Sequence, residues 1–278
     1  MKPDVLSHGW TWLAWICLAF ISPYSAWSAV IGLDGRHGNS GSGGGNLVTS
    51  TGMDTFRATI TGAGHSIVPV VTFDSASLVG LDALFLTQPT DPDATQFSAS
   101  EISSIQAFVS AGHGLLVFGE GGFSRDSTVN NLNMLVAPYG VTYSTSVSGG
   151  NGETITGFVP HPITMSVSTV GMDFYRPLFA MNPALDLTTG MVDILAVVNA
   201  SGGAGNVVLI SDTSLWSDDG EGSDRPIGFG DNRLLLQNTI SFVTVPEPST
   251  MVLLAVLLFG SWVVCRPAKL RSPRGRED

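Results

Sequence analysis

The stretch GLLVFGEGG, residues 114–122, runs four large apolar side chains into a glycine, an acid and two more glycines. An unbroken apolar run of this length suits a strand covered on both faces, as in parallel sheets flanked by helices. The glycines turn the chain and leave Glu120 at the strand's carboxyl end. Immediately upstream, FSASEISSIQAFVSAG (97–112) has the marks of a helix. Ser98 or Ser100 caps it, and Ser98 with Glu101 three residues later is a capping-box arrangement. Ile102, Ile105, Phe108 and Val109 share one face, and Gly112 stops the helix.

The same alternation extends in both directions. AVIGLD (29–34) reads as a buried strand ending in an acid, followed by the flexible, glycine-rich loop GRHGNSGSGGGN (35–46). That loop has neither a closing Gly-Lys-Ser/Thr nor a GxGxxG in register with a helix, so it predicts no phosphate cradle. LVTSTGMDTFRATITGAGH (47–65) spaces Leu47, Met53, Phe56 and Ile60 near helical period. SIVPVVTFD (66–74) is a strand, with Pro69 assigning it to a sheet edge. LDALFLTQP (81–89) is a third strand, and VNNLNMLVAPYG (129–140) a helix stopped by Pro138 and Gly140. Beyond Val141 the pattern is strand-like. VDILAVVNASGGAGNVVLISD (192–212) predicts a late β-hairpin. DNRLLLQNTISFVTV (231–245) predicts a final helix with Leu234, Leu235, Asn238 and Phe242 near one face. Strands alternating with helices predict an α/β fold with a largely parallel sheet. There is no internal repeat, and a single domain over residues 29–245 fits the pattern.

Both ends read as addresses. Lys2, the apolar run Trp10 to Ile21 and the small residues Ala26 and Ser28 form a signal-peptide pattern, with cleavage after Ser28; an uncleaved anchor would share it. The C-terminal end reads Val245-Pro246-Glu247-Pro248-Ser249, then an apolar span from Met251 to Cys265. Arg266, Lys269, Arg271, Arg274 and Arg276 follow. With Ser249 and Thr250 the span reaches the short limit of about 17 residues for a transmembrane helix, and the flanking cations would stay on the cytoplasmic side. The preceding domain would then lie across the membrane.

Residues 29–245 contain six arginines, no lysine and nineteen acids, a net charge of −13. Such a surface repels phosphate backbones and argues against nucleic-acid binding. The two cysteines, Cys17 and Cys265, both lie in the terminal apolar segments. The predicted mature domain therefore has no disulfide, thiolate metal site or cysteine nucleophile.

The motif, span and basic end of residues 246–278 together resemble the PEP-CTERM sorting signal. That resemblance implies transient anchoring in the inner membrane of a Gram-negative bacterium with the domain in the periplasm. Processing by exosortase and delivery to the cell surface or extracellular matrix would follow. The series VIGLDGRHGN, LDALFLTQP, FSASEISSIQAFVSAGHGLLVFGEGG, LVAPYGVTY, HPIT, VVLISDTSLWSDD and DNRLLLQNTISFV resembles a divergent class I glutamine amidotransferase-like domain. The resemblance implies a flavodoxin-like three-layer α/β/α sandwich. Amidotransferases of that kind use an elbow cysteine and a downstream histidine. The matching position falls at or beside Glu120, so glutaminase chemistry is not expected.

In open parallel sheets, ligands meet the loops at the strands' carboxyl ends. The candidates there are Asp34 with His37, Gln88, Glu120 and Asp212. Between glycines, Glu120 resembles the residue of a nucleophile elbow. It could act as general base or metal ligand, or simply accept loop amides and pin the turn. Asp218, Asp219, Glu221 and Asp224 are oxygen ligands suited to calcium, without EF-hand spacing; a solvated acidic loop is the alternative. No other cofactor is expected. Two functions compete. One is an exported binding or structural module engaging exopolysaccharide or an envelope protein. The other is a hydrolase of carbohydrate or a related polymer, using Glu120 with Asp34, His37 or Asp212.

Overall fold

The computed structural model describes residues 28–38, 46–89, 96–121, 126–149, 152–189, 193–199, 204–218 and 225–244. Within them, the unbroken apolar runs become the middle of a sheet. β1 (Val30–Asp34), β2 (Ser66–Val70), β3 (Ala83–Thr87), β4 (Gly114–Phe118), β10 (Leu195–Val198) and β11 (Val207–Ile210) join in the order β2-β1-β3-β4-β11-β10, and β9 (Leu185–Asp186) closes the far edge. β2, β1, β3, β4 and β11 are mutually parallel. β10 runs antiparallel to β11, the late hairpin, and β9 antiparallel to β10. The five parallel strands thus follow the flavodoxin-like order, which reverses between β1 and β3.

Every residue of β3, β4 and β11 is buried, because helices cover both faces. On one face, Ile31, Leu33, Phe85, Leu116 and Phe118 pack with Phe56 and Ile60 of α1 (Asp54–Gly62) and with Leu235, Leu236 and Ile240 of α4 (Asn232–Thr244). On the other, Leu84, Leu86, Leu115 and Val117 meet α2 (Ala99–Ser110) and α3 (Asp126–Val136). Alternate residues of one strand therefore serve opposite layers. Each large apolar side chain so buried contributes about 1.5–3 kcal/mol.

The capping box of α2 forms as its sequence predicts: Glu101 N–H donates to Ser98 Oγ, and Ser98 N–H to the Glu101 carboxylate. Pro69 lies on the edge strand β2, as read. The buried face of α4 is rotated from the predicted one. Leu235, Leu236, Thr239, Ile240 and Val243 point inward, while Leu234 and Phe242 pack only at its flank. Residues 141–180 hold short strands, in keeping with the strand-like pattern beyond Val141, though no sequence period sets their bounds or pairing. β5 (Val141–Tyr143) pairs with β8 (Leu178–Ala180), and β6 (Glu153–Ile155) with β7 (Val170–Met172), both antiparallel.

Among the described residues no helix is long and apolar enough to cross a membrane. The predicted span Met251 to Cys265, the sorting residues Pro246 to Pro248, the basic residues from Arg266 to Arg276 and the leader up to residue 27 lie outside the described residues.

Candidate functional site at the carboxyl edge of the sheet

The strands β1, β3, β4 and β11 end side by side, and their first loop residues make two polar clusters. The first follows β1. Asp34 is fully buried, and its Oδ1 accepts the amides of Arg36 (2.9 Å) and His37 (3.0 Å). These bonds bend the chain so that the His37 ring returns over Asp34, with Nδ1 3.2 Å from both carboxylate oxygens. His37 is itself fully buried, stacked on Phe97 at 3.9 Å between centroids and tilted against Phe73 at 4.9 Å. Its Nε2 has no hydrogen-bond partner among the described residues; the nearest carboxylate oxygen, Glu101 Oε1, is 3.8 Å away. Glu101 in turn takes a 2.8 Å ion pair from Arg36. Partial burial pushes the Glu101 carboxyl up, but hydrogen bonds from Ser98, with His37 and Arg36 nearby, hold it below its usual range. A shallow cavity of about 250 Å³ opens over this pair, lined by Arg36, Phe73, Asp74, Ser98, Ser100 and Glu101 among others.

The second cluster joins β3, β4 and β11. Glu120 is half-buried, and its Oε2 accepts the Thr213 hydroxyl at 2.8 Å. Its amide donates to Gln88 Oε1 (3.2 Å), while Gln88 Nε2 donates to Thr128 Oγ1 (3.0 Å). Asp212 is buried, and its two oxygens accept the amides of Gly121 (3.0 Å) and Ser214 (2.5 Å). Burial, and then the Glu120 charge, raise the Asp212 carboxyl well above its usual value; the two amide bonds pull the other way without prevailing. Arg176 is buried beneath the cluster, its Nε donating to the Glu120 carbonyl at 3.1 Å and its Nη1 to the Thr145 carbonyl. Burial lowers the Arg176 guanidinium, against the opposing charges of Asp126 and Glu120.

The elbow likeness at Glu120 is corrected by its backbone. A nucleophile elbow is a strained strand-to-helix turn. Among the described residues, Ser166 is the one non-glycine residue with positive φ (63°), so Glu120 does not take the strained backbone of an elbow nucleophile. The close packing at this position falls on the neighbours of Glu120. A Cβ at Gly119 would lie 2.6 Å from the Tyr143 ring, and one at Gly121 would lie 2.4 Å from the Phe174 backbone.

Of the candidates named from sequence, Asp34 and His37 come together with each other, and Glu120 comes together with the Asp212 loop. The described contacts of the first pair run to Glu101 and Arg36 rather than to Glu120. Asp218 ties down a helix: its Oδ2 accepts the Thr55 amide at 2.9 Å in the first turn of α1. Asp219, Glu221 and Asp224 lie outside the described residues. No group of three or more His, Cys, Asp or Glu suited to a metal occurs among the described residues. Sequence reading assigned Glu101 to a cap alone and gave Arg36, Arg176 and Thr213 no role. One available signal was that Arg36 stands two residues beyond the acid that ends β1.

Comparison with known proteins adds two findings. Residues 244–266 match the PEP-CTERM protein-sorting motif, which marks an exported, exosortase-sorted protein. No curated protein sequence matches the chain. Among solved structures, it is similar to the mmIFT52 N-terminal domain, with TM-score 0.63 and 19% identity over 79% of this chain and 99% of that one. It is also similar to Cytoplasmic Protein STM1381 from Salmonella typhimurium LT2, with TM-score 0.56 and 13% identity over 77% and 98%. A ThuA-like protein from Bacteroides uniformis gives TM-score 0.51 and 10% identity over 78% and 91%. At such identities the likeness is one of fold alone, an α/β fold with the flavodoxin-like strand order.

Proposed function

We propose that this chain is a surface- or matrix-delivered binding module that holds a hydroxyl-rich saccharide at the carboxyl edge of its sheet. In this reading residues 251–265 anchor the chain in the inner membrane of a Gram-negative cell. Exosortase then acts at the Pro246-Glu247-Pro248 segment. The observation that carries the ligand assignment is the cavity beside the point where strand order reverses. There the partly exposed Arg36 pairs with the nearly buried Glu101 among Ser98, Ser100 and Ser104, backed by the buried Asp34–His37 pair. Open α/β sheets bind ligands at such switch points, and a paired guanidinium and carboxylate with hydroxyl neighbours offers donors and acceptors to sugar hydroxyls. Calorimetric titration of the chain with exopolysaccharide fragments tests this. Binding should be lost in Arg36→Ala and Glu101→Gln; equal binding by both variants, or no binding by the parent, refutes it.

One observation favours a second reading, hydrolysis. Glu120 and Asp212 share one edge, and burial together with the Glu120 charge raises the Asp212 carboxyl well above its usual value. A raised carboxyl beside a second carboxyl group is a setting in which acid and base roles can divide. Release of reducing ends from a polysaccharide, abolished in Glu120→Gln, would establish it.

A further inference from the structure

We propose that the amino edge of the central sheet is the face that lies against the lipid surface while the sorting segment holds the chain, leaving the carboxyl edge and its cavity turned outward. The inference rests on the reading of residues 251–265 as a membrane anchor and adds an orientation to it.

The first argument is where the chain leaves the fold. The last turn of α4 packs at the start of β4 and β11. Asn206, just before β11, donates Nδ2 to the Phe242 carbonyl at 3.0 Å. Gly114, the first residue of β4, lies so close to the Val243 carbonyl that a Cβ there would sit 1.9 Å from its oxygen. Thr244, where the matched sorting motif begins, therefore emerges at the amino edge. The chain enters β1 at the same edge: Ser28 Oγ donates to the Gly64 carbonyl, and the Ala29 amide to His65 Nδ1.

The second argument is reach. Six residues, 245–250, separate α4 from the apolar run, and two of them are prolines. Fully extended they span about 20 Å. A five-residue strand is already about 17 Å long, and loops add to it at both ends. The linker is too short to pass the height of the domain and bring the opposite edge to the membrane.

The third argument is charge. The turns at the amino edge, residues 63–65, 80–82, 111–113 and 204–206, contain one acid, Asp82, whose Oδ2 accepts the Val30 amide at 2.7 Å. They also carry His65 and His113, and His161 stands beside them against Asn199 and Phe242. The opposite edge carries the exposed Asp74 together with Glu101 and Glu120. An anionic bilayer surface repels the second edge and tolerates the first.

Helix α2 supplies a ruler, because it runs from the cavity to the amino edge: Ser100 lines the cavity and Ala111 is exposed at the far end. These ends are about 16 Å apart. The test uses the full chain with Cys17→Ser and Cys265→Ser, bearing a fluorophore on either Ser100→Cys or Ala111→Cys. It is reconstituted in phosphatidylethanolamine–phosphatidylglycerol vesicles containing headgroup-nitroxide lipid. Fluorescence should be quenched several-fold more at position 111 than at position 100. Equal quenching, or stronger quenching at position 100, in chains that resist alkaline carbonate extraction overturns the orientation and leaves the anchor standing. Release of the chain by carbonate overturns both.

Discussion

Replacing Asp212 with asparagine should change how stability depends on pH more than it changes stability at any one pH. The carboxyl of Asp212 is raised well above 3.8 by burial and then by Glu120. In the unfolded chain it ionises near 3.8, so folding takes up a proton at any pH between the two values. Its stabilising contribution is therefore complete below about pH 3.8 and drains away as pH rises toward the folded value. One linked proton corresponds to about 1.4 kcal/mol per pH unit. Asparagine cannot titrate, so Asp212→Asn should remove up to that slope. The variant also carries a constant penalty. The two oxygens of Asp212 accept the amides of Gly121 and Ser214, and asparagine keeps one acceptor, leaving one buried N–H unmatched at about 1–3 kcal/mol. Urea denaturation of both chains from pH 4 to pH 7 separates the two effects: the offset is common to all pH values and the slope is not. Parallel curves over that range would refute the burial-driven shift and, with it, the acid–base division that supports the hydrolytic reading.

Asp193 is pushed up to about 6 by burial and by Asp186; its contribution is complete below about 3.8 and lost as pH rises through about 6. Solvent screening limits it to under about 1 kcal/mol, and Asp193→Asn should flatten that part of the pH–stability curve. Glu101→Ala removes a capping-box partner and the Arg36 ion pair; a loss of about 1–2 kcal/mol is expected in denaturant titration. Two glycine substitutions should differ in sign. Gly121→Ala drives a Cβ into the Phe174 backbone and should destabilise by about 1–3 kcal/mol, whereas Gly62→Ala, at the end of α1 with nothing within 4 Å, should stabilise by about 0.5–1 kcal/mol; thermal melts of both variants test the contrast.

What sequence reading could see was what neighbouring residues determine among themselves. The cap of α2 needs only Ser98 and Glu101, and the apolar run of β4 needs only cover on both faces, so both were legible. The late hairpin was legible because two apolar runs flank one glycine-rich turn. The β5–β8 and β6–β7 pairs were not, since three-residue strands carry no period. Their partners lie fifteen or more residues away. At the site, sequence placed Asp34, Glu120 and Asp212 at strand ends and could not say which side chains would meet. Asp34 is claimed by the amides two and three residues along and by His37, a local bend that leaves it no call on Glu120. The partner of the Glu120 side chain, Thr213, is ninety-three residues away and reaches it only because β11 lies next to β4. The face of α4 was misread because Phe242 and Leu234 suit a flank as well as a core.

The two borders of the sheet bear on what happens when many copies share a crowded surface. An open strand invites a neighbour to add its own backbone, and repetition of that step makes fibres. β2 presents one border, with Pro69 in its middle offering no amide hydrogen, and β9 presents the other with only two residues. Neither border gives a second molecule enough backbone pairing to zip onto, so the sheet resists growing edge to edge from one copy into the next.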